Sequence, residues 1–364
     1  MTILVVGAGI IGCAVAHELA SRGARVHIFD PRDPGLGATG ASAGILAPRI
    51  EGHSAELLKL GVCSHALYDQ FISRVSRDSG APVEYQRNGT LQIAMTGDEG
   101  RALAALAEQL ADAGVQHTLM DGEEARRLEP QLSERAQAAL LVPEHGYVAA
   151  RVLTGALARA ASNRGATFMK TAAERIIATE AAARVDTAAG AFDGDAVIIA
   201  SGSWSARFAD PEVSPAPVKP IRGQLLVLQQ PARAVSRIAW GARCYLVPWN
   251  DGSMLVGATV EDVGFDETAT ASGVSALLAA AIDLMPALED ARFVDVRVGL
   301  RPATRDELPA IGRSSTMPRV VYATGHYRNG VLLAPLTAQV VADLVLDDRA
   351  RTELTLTSPS RLGL

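Results

Sequence analysis

A glycine-rich turn near the start of the sequence constrains the fold more than any other feature. The apolar, β-branched residues 3–6 predict a strand, and the next six residues, Gly7-Ala8-Gly9-Ile10-Ile11-Gly12, have the spacing G-x-G-x-x-G. Apolar positions then recur at helical spacing from Cys13 to Ser21, and Arg25 to Asp30 predicts a second strand that ends on an acid. Strand, helix and strand in this order form a βαβ unit, which requires a parallel sheet with helices against its faces.

The glycine spacing is typical of a dinucleotide-binding turn. Gly7 allows the tight turn, Gly9 lets the backbone approach a pyrophosphate, and Gly12 lets the helix pack closely on the strand. The start of the helix, at Ile10 and Ile11, presents unpaired N–H groups to the negative charge. These residues are the first candidate cofactor contacts.

The acid at the end of the second strand selects the nucleotide. Asp30 can accept hydrogen bonds from both hydroxyls of an adenosine ribose, and its charge would repel a 2′-phosphate. With its neighbour Pro31 it therefore predicts a site for FAD or NAD rather than for NADP.

Composition and charge exclude several classes of partner. The 364 residues are 48% hydrophobic, enough for a large core, and the net charge of -6 gives no attraction for nucleic acid. The cysteines at positions 13, 63 and 244 lack the paired spacing of a disulfide framework or a zinc site, so we expect no metal and a cytoplasmic location. The longest apolar stretch, 331–346, contains polar residues and a proline, and therefore predicts no membrane insertion. A homo-oligomer stays open on these grounds.

The middle of the sequence predicts a second, different sheet. A run of small residues extends from Pro34 to Gly44, and helical spacing recurs over residues 55–79. After a proline-rich crossing between domains at 211–220, short strands and turns alternate from Gln224 to Val260, as in an antiparallel sheet.

The last segment repeats the order of the first and favours a flavin over NAD. It reads as a strand at Val320 to Ala323, a glycine turn at Gly325 to Gly330, and a helix from Pro335 to Leu346 with the proline in its first turn. A flavin dinucleotide needs one helix N-terminus at its pyrophosphate, and a second near the isoalloxazine could stabilise the reduced ring. FAD is thus the predicted cofactor, and an NAD-dependent dehydrogenase is the alternative.

The fold class predicted from these patterns is α/β. We expect a Rossmann-like FAD-binding domain with a parallel sheet and a smaller α+β substrate domain with a mainly antiparallel sheet. The predicted FAD-binding domain comprises residues 1–80, 142–212 and 309–364, and the predicted substrate domain comprises 81–141 and 213–308.

Six motifs follow one another over nearly the whole chain. Besides the opening turn with Asp30, they are A-T-G-A-S-A-G-I-L-A-P at 38–48, I-A-S-G-S-W-S at 199–205, P-I-R-G-Q at 220–224, G-L-R-P-A-T-R-D at 299–306 and G-H-Y-R-N-G-V-L-L-A-P at 325–335. Together they resemble the flavin-dependent D-amino acid oxidase family. Within it they are most similar to the bacterial glycine oxidases of thiamine biosynthesis.

This resemblance implies further contacts to a non-covalently bound FAD. The loop beneath the flavin corresponds to Thr39, Gly40, Ser42, Gly44, Ile45 and Leu46. Other FAD contacts correspond to Ala173, Ser201, Gly202 and Trp204. The residues that wrap the isoalloxazine edge correspond to His326, Tyr327, Arg328, Asn329, Gly330, Val331 and Leu332. No cysteine lies in that last loop, so the covalent linkage of monomeric sarcosine oxidases is not expected.

The same resemblance implies the substrate residues and the reaction. Arg301 would clamp the substrate carboxylate, Tyr245 would close the pocket, and Arg328 would sit beside the flavin. Chemistry supports Arg301 independently, because a guanidinium offers a bidentate fork to a carboxylate and stays charged near neutral pH. The implied reaction is oxidative deamination of glycine or of small D- or N-methyl amino acids, by hydride transfer to FAD without a protein base. Dioxygen would then reoxidise the flavin and yield hydrogen peroxide.

Three alternatives stay open in the sequence. Arg243 stands where the nearest relatives are expected to carry a neutral or imidazole side chain; facing inward it would admit an acidic or larger substrate, and facing outward it would leave small ones favoured. An FAD-dependent amino acid dehydrogenase that passes electrons to a quinone or a protein would share every motif. The run Gly40-Ala41-Ser42-Ala43-Gly44 satisfies the hydrolase motif G-x-S-x-G, but lacks the strand before it and the helix after it.

Overall fold

The βαβ unit predicted at the start of the chain lies at the centre of a six-stranded sheet. The structure is a computed structural model that describes residues 1–51, 54–209, 217–229, 235–349 and 351–364. The strands are β1 Thr2–Val6, β2 Arg25–Phe29, β3 Ile45–Leu46, β4 Tyr85–Gln86, β5 Thr90–Ala94, β6 Thr118–Asp121, β7 Ala138–Val142, β8 Gly146–Val148, β9 Thr167–Met169, β10 Ala173–Ala178, β11 Ala183–Thr187, β12 Gly190–Gly194, β13 Ala196–Ile199, β14 Lys219–Gln229, β15 Ile238–Trp240, β16 Tyr245–Pro248, β17 Ser253–Gly257, β18 Arg292–Ala303, β19 Ala310–Arg313 and β20 Val320–Thr324. The helices are α1 Ile10–Ser21, α2 Pro48–Glu51, α3 Ala55–His65, α4 Tyr68–Ser79, α5 Gly97–Asp112, α6 Gly122–Leu128, α7 Ala150–Asn163, α8 Ala271–Leu284 and α9 Gly330–Leu346.

The six-stranded sheet joins the two ends of the chain. Its order is β19-β20-β13-β1-β2-β9, and every neighbouring pair is parallel except β19 and β20. Helices α1, α7 and α9 share one apolar core with this sheet. Because α1 is enclosed in that core, its residues from Ile10 to Ala20 are all buried. The C-terminal segment thus folds back on the N-terminal strands, as predicted.

A second, eight-stranded sheet carries the middle of the chain. Its order is β18-β14-β17-β16-β15-β5-β7-β6, and its strands pair antiparallel except for the parallel contact of β15 with β5. Two three-stranded sheets, β3-β8-β4 and β10-β11-β12, complete the fold. The predicted fold class is confirmed. The assignment of these sheets to two separate domains stays a prediction, and residues 210–216 of the proline-rich crossing lie outside the described part of the chain.

Two helices differ from their predicted bounds. The helical spacing over residues 55–79 is divided between α3 and α4, and the break brings Tyr68 to a fully buried position. Helix α9 begins at Gly330, so Pro335 is its sixth residue and the prediction that it lies in the first turn is wrong.

Side chains from α3 and α4 allow α9 to continue through its proline. Pro335 has no N–H to donate to the carbonyl of Val331, four residues earlier. The Tyr68 hydroxyl donates to that carbonyl instead, and Ser64 Oγ donates to the next carbonyl, of Leu332, at 2.7 Å. The helix therefore starts earlier than a proline at its first turn would indicate.

Helix α9 is apolar enough to require a separate test for membrane insertion. The segment Tyr327–Leu346 has the length and hydropathy of a membrane span, but 83% of its apolar window is buried inside the protein. It packs against α1 and the six-stranded sheet as a core helix.

Candidate active site

The glycine-rich turn packs tightly against the end of β13. Gly7 has φ of +108°, and a Cβ there would lie 2.7 Å from the carbonyl carbon of Ala200. A Cβ on Gly12 would overlap the carbonyl of Gly7, so only glycine lets the helix pass so close to the turn. Gly9 precedes α1 and has no side chain to cap it, so the first helical turn offers backbone N–H groups to an anion.

Asp30 follows β2 and holds this turn in shape. Its Oδ2 accepts the N–H of Ala8 at 2.8 Å, and its Oδ1 accepts the N–H of Arg32 at 2.8 Å. A carboxylate has about four lone-pair sites, so two remain for the hydroxyls of a ribose. The half-buried carboxyl group lines the same cavity as Gly7 and Gly9.

The run of small residues forms a loop between the two large sheets. Residues Ala38–Ala41 form a short 3-10 turn that lies against β18, where a Cβ on Gly299 would come within 2.8 Å of the Ala41 Cβ. Thr39 Oγ1 accepts the N–H of Ile10 at 3.1 Å and so ties the loop to the start of α1. Small side chains on both surfaces make this close approach possible.

The position of Ser42 argues against a serine hydrolase. Ser42 follows a 3-10 turn and leads towards β3, whereas a nucleophile elbow lies between a strand and a helix. Its Oγ accepts the N–H of Gly44 at 3.2 Å. It serves as a loop residue.

The loop between β20 and α9 contains a histidine that stays neutral. His326 is 2% exposed, and its Nε2 lies 3.0 Å from Thr337 Oγ1. Burial lowers the pKa of His326 to about 3, so it does not titrate near neutral pH. This suits the hydrogen-bonding role predicted for it better than that of a general base.

A cavity of about 390 Å³, within the size range of small-molecule sites, brings most of the predicted residues together. The predicted residues that line it are Gly7, Gly9, Ile10, Ile11, Asp30, Pro31, Thr39, Ser42, Gly44, Ile45, Ala173, Ser201, Gly202, Trp204, Tyr245, Arg301, His326, Tyr327, Arg328, Gly330 and Val331. The predicted residues that do not line it are Gly12, Gly40, Leu46, Asn329 and Leu332. The two leucines fill the apolar core instead.

Arg301 projects from β18 into this cavity and is half-buried. Its Nη1 donates to the carbonyl of Thr259 at 3.0 Å and to that of Arg222 at 3.4 Å. Among the described residues no carboxylate forms an ion pair with it. Its charge is therefore oriented by the backbone and remains available to an anionic ligand.

Aromatic residues on β15 and β16 form another wall. Tyr245 lies opposite Trp240 across the two strands, with ring centroids 5.1 Å apart. Both rings line the cavity and are half-buried. Their position is consistent with the pocket-closing role that the sequence resemblance implies for Tyr245.

Arg243 faces away from the cavity. Its side chain is 61% exposed, and its Nη2 lies 2.5 Å from Asp283 Oδ2 in α8. It is absent from the cavity wall formed by the described residues. Of the two orientations left open by the sequence, the structure has the outward one.

Sequence reasoning missed several residues of the cavity. The guanidinium of Arg32 lies 4.6 Å from the Trp204 ring centroid, and that ring in turn packs 5.6 Å from Phe265. Arg32 could have been found from its position just beyond a parallel strand, where ligands bind in such sheets. Trp240 could be found only from its cross-strand pairing with Tyr245.

The residues around the cavity fit FAD. The bare start of α1 suits a pyrophosphate, and Asp30 suits a ribose. At Gly202, in the cavity wall, a Cβ would meet no protein atom within 4 Å, so the wall there is open to a ligand. The small-residue loop and the loop at His326 border the remaining space, where a flat ring system can lie.

Comparison with known proteins decides the family. The sequence profile of the FAD dependent oxidoreductase family matches residues 2–344 of this chain. The chain belongs to this family. FAD is therefore the cofactor of this oxidoreductase, and the alternative of an NAD-dependent dehydrogenase is wrong.

The most similar relatives carry related names. A glycine oxidase from Geobacillus kaustophilus is 35% identical over 347 residues, which cover 94% of this chain and 92% of that protein. The crystal structure of glycine oxidase from the same species has a TM-score of 0.94 and covers 98% of this chain and 97% of that one. The iminodiacetate oxidase from Chelativorans sp. BNC1 has a TM-score of 0.90 at 27% identity, with 98% of each chain covered. A bifunctional protein ThiO/ThiG from Synechocystis is 33% identical over 99% of this chain, which spans only 54% of that protein.

Proposed function

We propose that this chain oxidises glycine or another small amino acid, such as sarcosine or D-alanine, to the imine and oxo acid, and that dioxygen reoxidises the flavin to give hydrogen peroxide. The chain is an FAD-dependent amino acid oxidoreductase, and the proposal concerns its substrate and its electron acceptor. The observation that carries it is the guanidinium of Arg301, which lines the cofactor cavity without a carboxylate partner among the described residues.

The proposed role of Arg301 is to fix the substrate by its carboxylate. Its Nη1 is engaged by two backbone carbonyls, so Nε and Nη2 are left to form the paired hydrogen bonds that guanidinium and carboxylate groups favour. Such a contact orients the α-carbon, which is the main contribution that an enzyme can make to this step. FAD, when bound, accepts the hydride from that α-carbon.

The surroundings favour a small substrate and a mechanism without a protein base. The rings of Tyr245 and Trp240 border the substrate end, and the outward position of Arg243 removes the second cation that would favour an acidic side chain. His326 is buried, neutral and hydrogen-bonded to Thr337, so the proton that the substrate amine must lose goes to solvent before binding.

A panel of amino acids mixed anaerobically with the yellow holoenzyme tests this proposal. We expect glycine, sarcosine and D-alanine to bleach the flavin band, and iminodiacetate, which carries a second carboxylate, to do so more slowly. Admission of air should restore the band and produce one hydrogen peroxide for each flavin. Bleaching followed by reoxidation with a quinone but not with air would instead indicate the dehydrogenase. A holoenzyme that no amino acid bleaches would refute the substrate class.

The sequence resemblance to glycine oxidases of thiamine biosynthesis extends the proposal to that pathway. Restored growth without thiamine, when the gene is expressed in a strain that lacks its own glycine oxidase, would support this extension. No restoration by an enzyme active on glycine in vitro would contradict it.

A further inference from the structure

Two glycines of the eight-stranded sheet lie directly beneath the side chains that line the substrate end of the cavity. A Cβ built on Gly223 would come well within 3.0 Å of the guanidinium of Arg301, a separation that real Cβ atoms essentially never show. A Cβ built on Gly257 would come equally close to the ring of Tyr245. In both places the functional side chain occupies the space of the missing methyl group.

The strand register explains how Arg301 reaches Gly223. In the antiparallel pairing of β14 with β18, Gly223 lies opposite Gly299 and Ile221 lies opposite Arg301. The arginine side chain therefore crosses diagonally to a position two residues along the neighbouring strand, a distance that long side chains can span. There its flat guanidinium rests on the glycine backbone while Nη1 donates to the Thr259 carbonyl.

Tyr245 uses Gly257 in the same way. The two residues are directly opposite each other in the pairing of β16 with β17. The ring folds over the glycine, as aromatic side chains do over cross-strand glycines in other sheets.

We propose that Gly223 and Gly257 are positioning residues, which set the orientation of the carboxylate clamp Arg301 and of the pocket wall Tyr245. This inference rests on the proposed function, since it assumes that Arg301 holds the substrate. The cavity wall itself includes Gly223, so a methyl group there would also enter the space that a substrate occupies.

Adding one methyl group to Gly223 should displace the guanidinium without unfolding the sheet. Neither Gly223 nor Gly257 has a positive φ, so alanine is compatible with the backbone. The atoms that a Cβ would strike belong to the mobile end of an arginine side chain, which can move aside. Because a misplacement of about 1 Å can cost roughly 100-fold in rate, the loss should appear in substrate affinity and turnover and not in FAD content.

The first test compares Gly223→Ala with the wild-type holoenzyme. Propionate, a carboxylate that cannot be oxidised in the same way, is titrated against the flavin spectrum, and KM and kcat are measured with glycine. We expect the Kd of propionate and the KM of glycine to rise by about 10-fold or more, with unchanged FAD content. Gly100→Ala is the matched control, because a Cβ there meets only the Ala138 methyl group at 4.0 Å, and it should leave both constants unchanged.

A double-mutant cycle shows whether Gly223 acts through Arg301. If it does, Gly223→Ala has an effect in the wild type but less than a 2-fold further effect on propionate binding in Arg301→Ala. An effect of Gly223→Ala that is equal in both backgrounds would overturn the positioning role, as would an Arg301→Ala variant that weakens propionate while Gly223→Ala does not. If Arg301→Ala binds propionate normally, the clamp itself is wrong, which is failure of the proposed function and is distinguishable from the other outcomes.

A stability measurement keeps the inference testable if Gly223→Ala folds poorly. The collision needs both groups, so Arg301→Ala should restore the Tm of Gly223→Ala in the double variant. A double variant as unstable as Gly223→Ala would overturn the proposal. The parallel cycle of Gly257→Ala with Tyr245→Ala applies the same criterion to the second pair.

Discussion

Replacement of Asp30 by alanine should weaken FAD binding more than any other single change at the adenosine end. Its carboxylate already accepts the backbone N–H groups of Ala8 and Arg32, at 2.8 Å each, and has lone pairs left for two ribose hydroxyls. Hydrogen bonds to a charged acceptor contribute about 1.5–3 kcal/mol each, so the loss of two predicts a deficit of about 3 kcal/mol or more. That corresponds to a rise in the Kd of FAD of roughly 150-fold.

The assay is titration of the apoprotein with FAD, followed by quenching of the flavin fluorescence. Asp33→Ala is a matched control, because it removes the same charge from an exposed residue nearby that pairs with Lys170. We expect a large rise in Kd for Asp30→Ala and a change below 2-fold for the control. Because Asp30 also holds the glycine-rich turn, the Tm of the apoprotein is measured in parallel. Equal FAD affinity in the wild type and in Asp30→Ala would refute the ribose role.

Two further changes test other parts of the structure. Arg243→Ala should leave kcat and KM for glycine within 2-fold of wild type, because the side chain pairs with Asp283 on the surface; a marked change in the preference between glycine and iminodiacetate would contradict its outward position. Lowering the pH from 7 to 5 should reduce the free energy of unfolding, measured with urea, because His65, His145 and His326 are buried with pKa values of about 4, 3 and 3. The unfolded chain binds protons below pH 6.5 while the folded chain does not, which costs about 1.4 kcal/mol per pH unit for each histidine, and equal stability at the two pH values would count against this burial.

The start of the fold could be predicted from the sequence because its determinants are local. The spacing of Gly7, Gly9 and Gly12 and the acid at Asp30 are close along the chain, and each has a single physical purpose in a βαβ unit. The structure places these residues around one turn, as the spacing predicts.

Other features depend on contacts between residues far apart in the sequence. The first residue of α9 was predicted too late, because the hydroxyl that satisfies the Val331 carbonyl comes from Tyr68. The orientation of Arg243 depends on Asp283, forty residues away. Similarly, the contact between Gly223 and Arg301 follows from strand register, which no local pattern specifies.

The central claim is that the positive charge of Arg301 holds the substrate carboxylate beside the flavin. The most direct test measures the rate of anaerobic flavin reduction by glycine and by glycinamide, which lacks the carboxylate, in the wild type and in Arg301→Ala. Loss of a charged hydrogen-bonding partner worth about 3 kcal/mol predicts that the wild type prefers glycine by roughly 100-fold or more, and that Arg301→Ala retains FAD but loses this preference. An undiminished preference for glycine in Arg301→Ala would contradict the account.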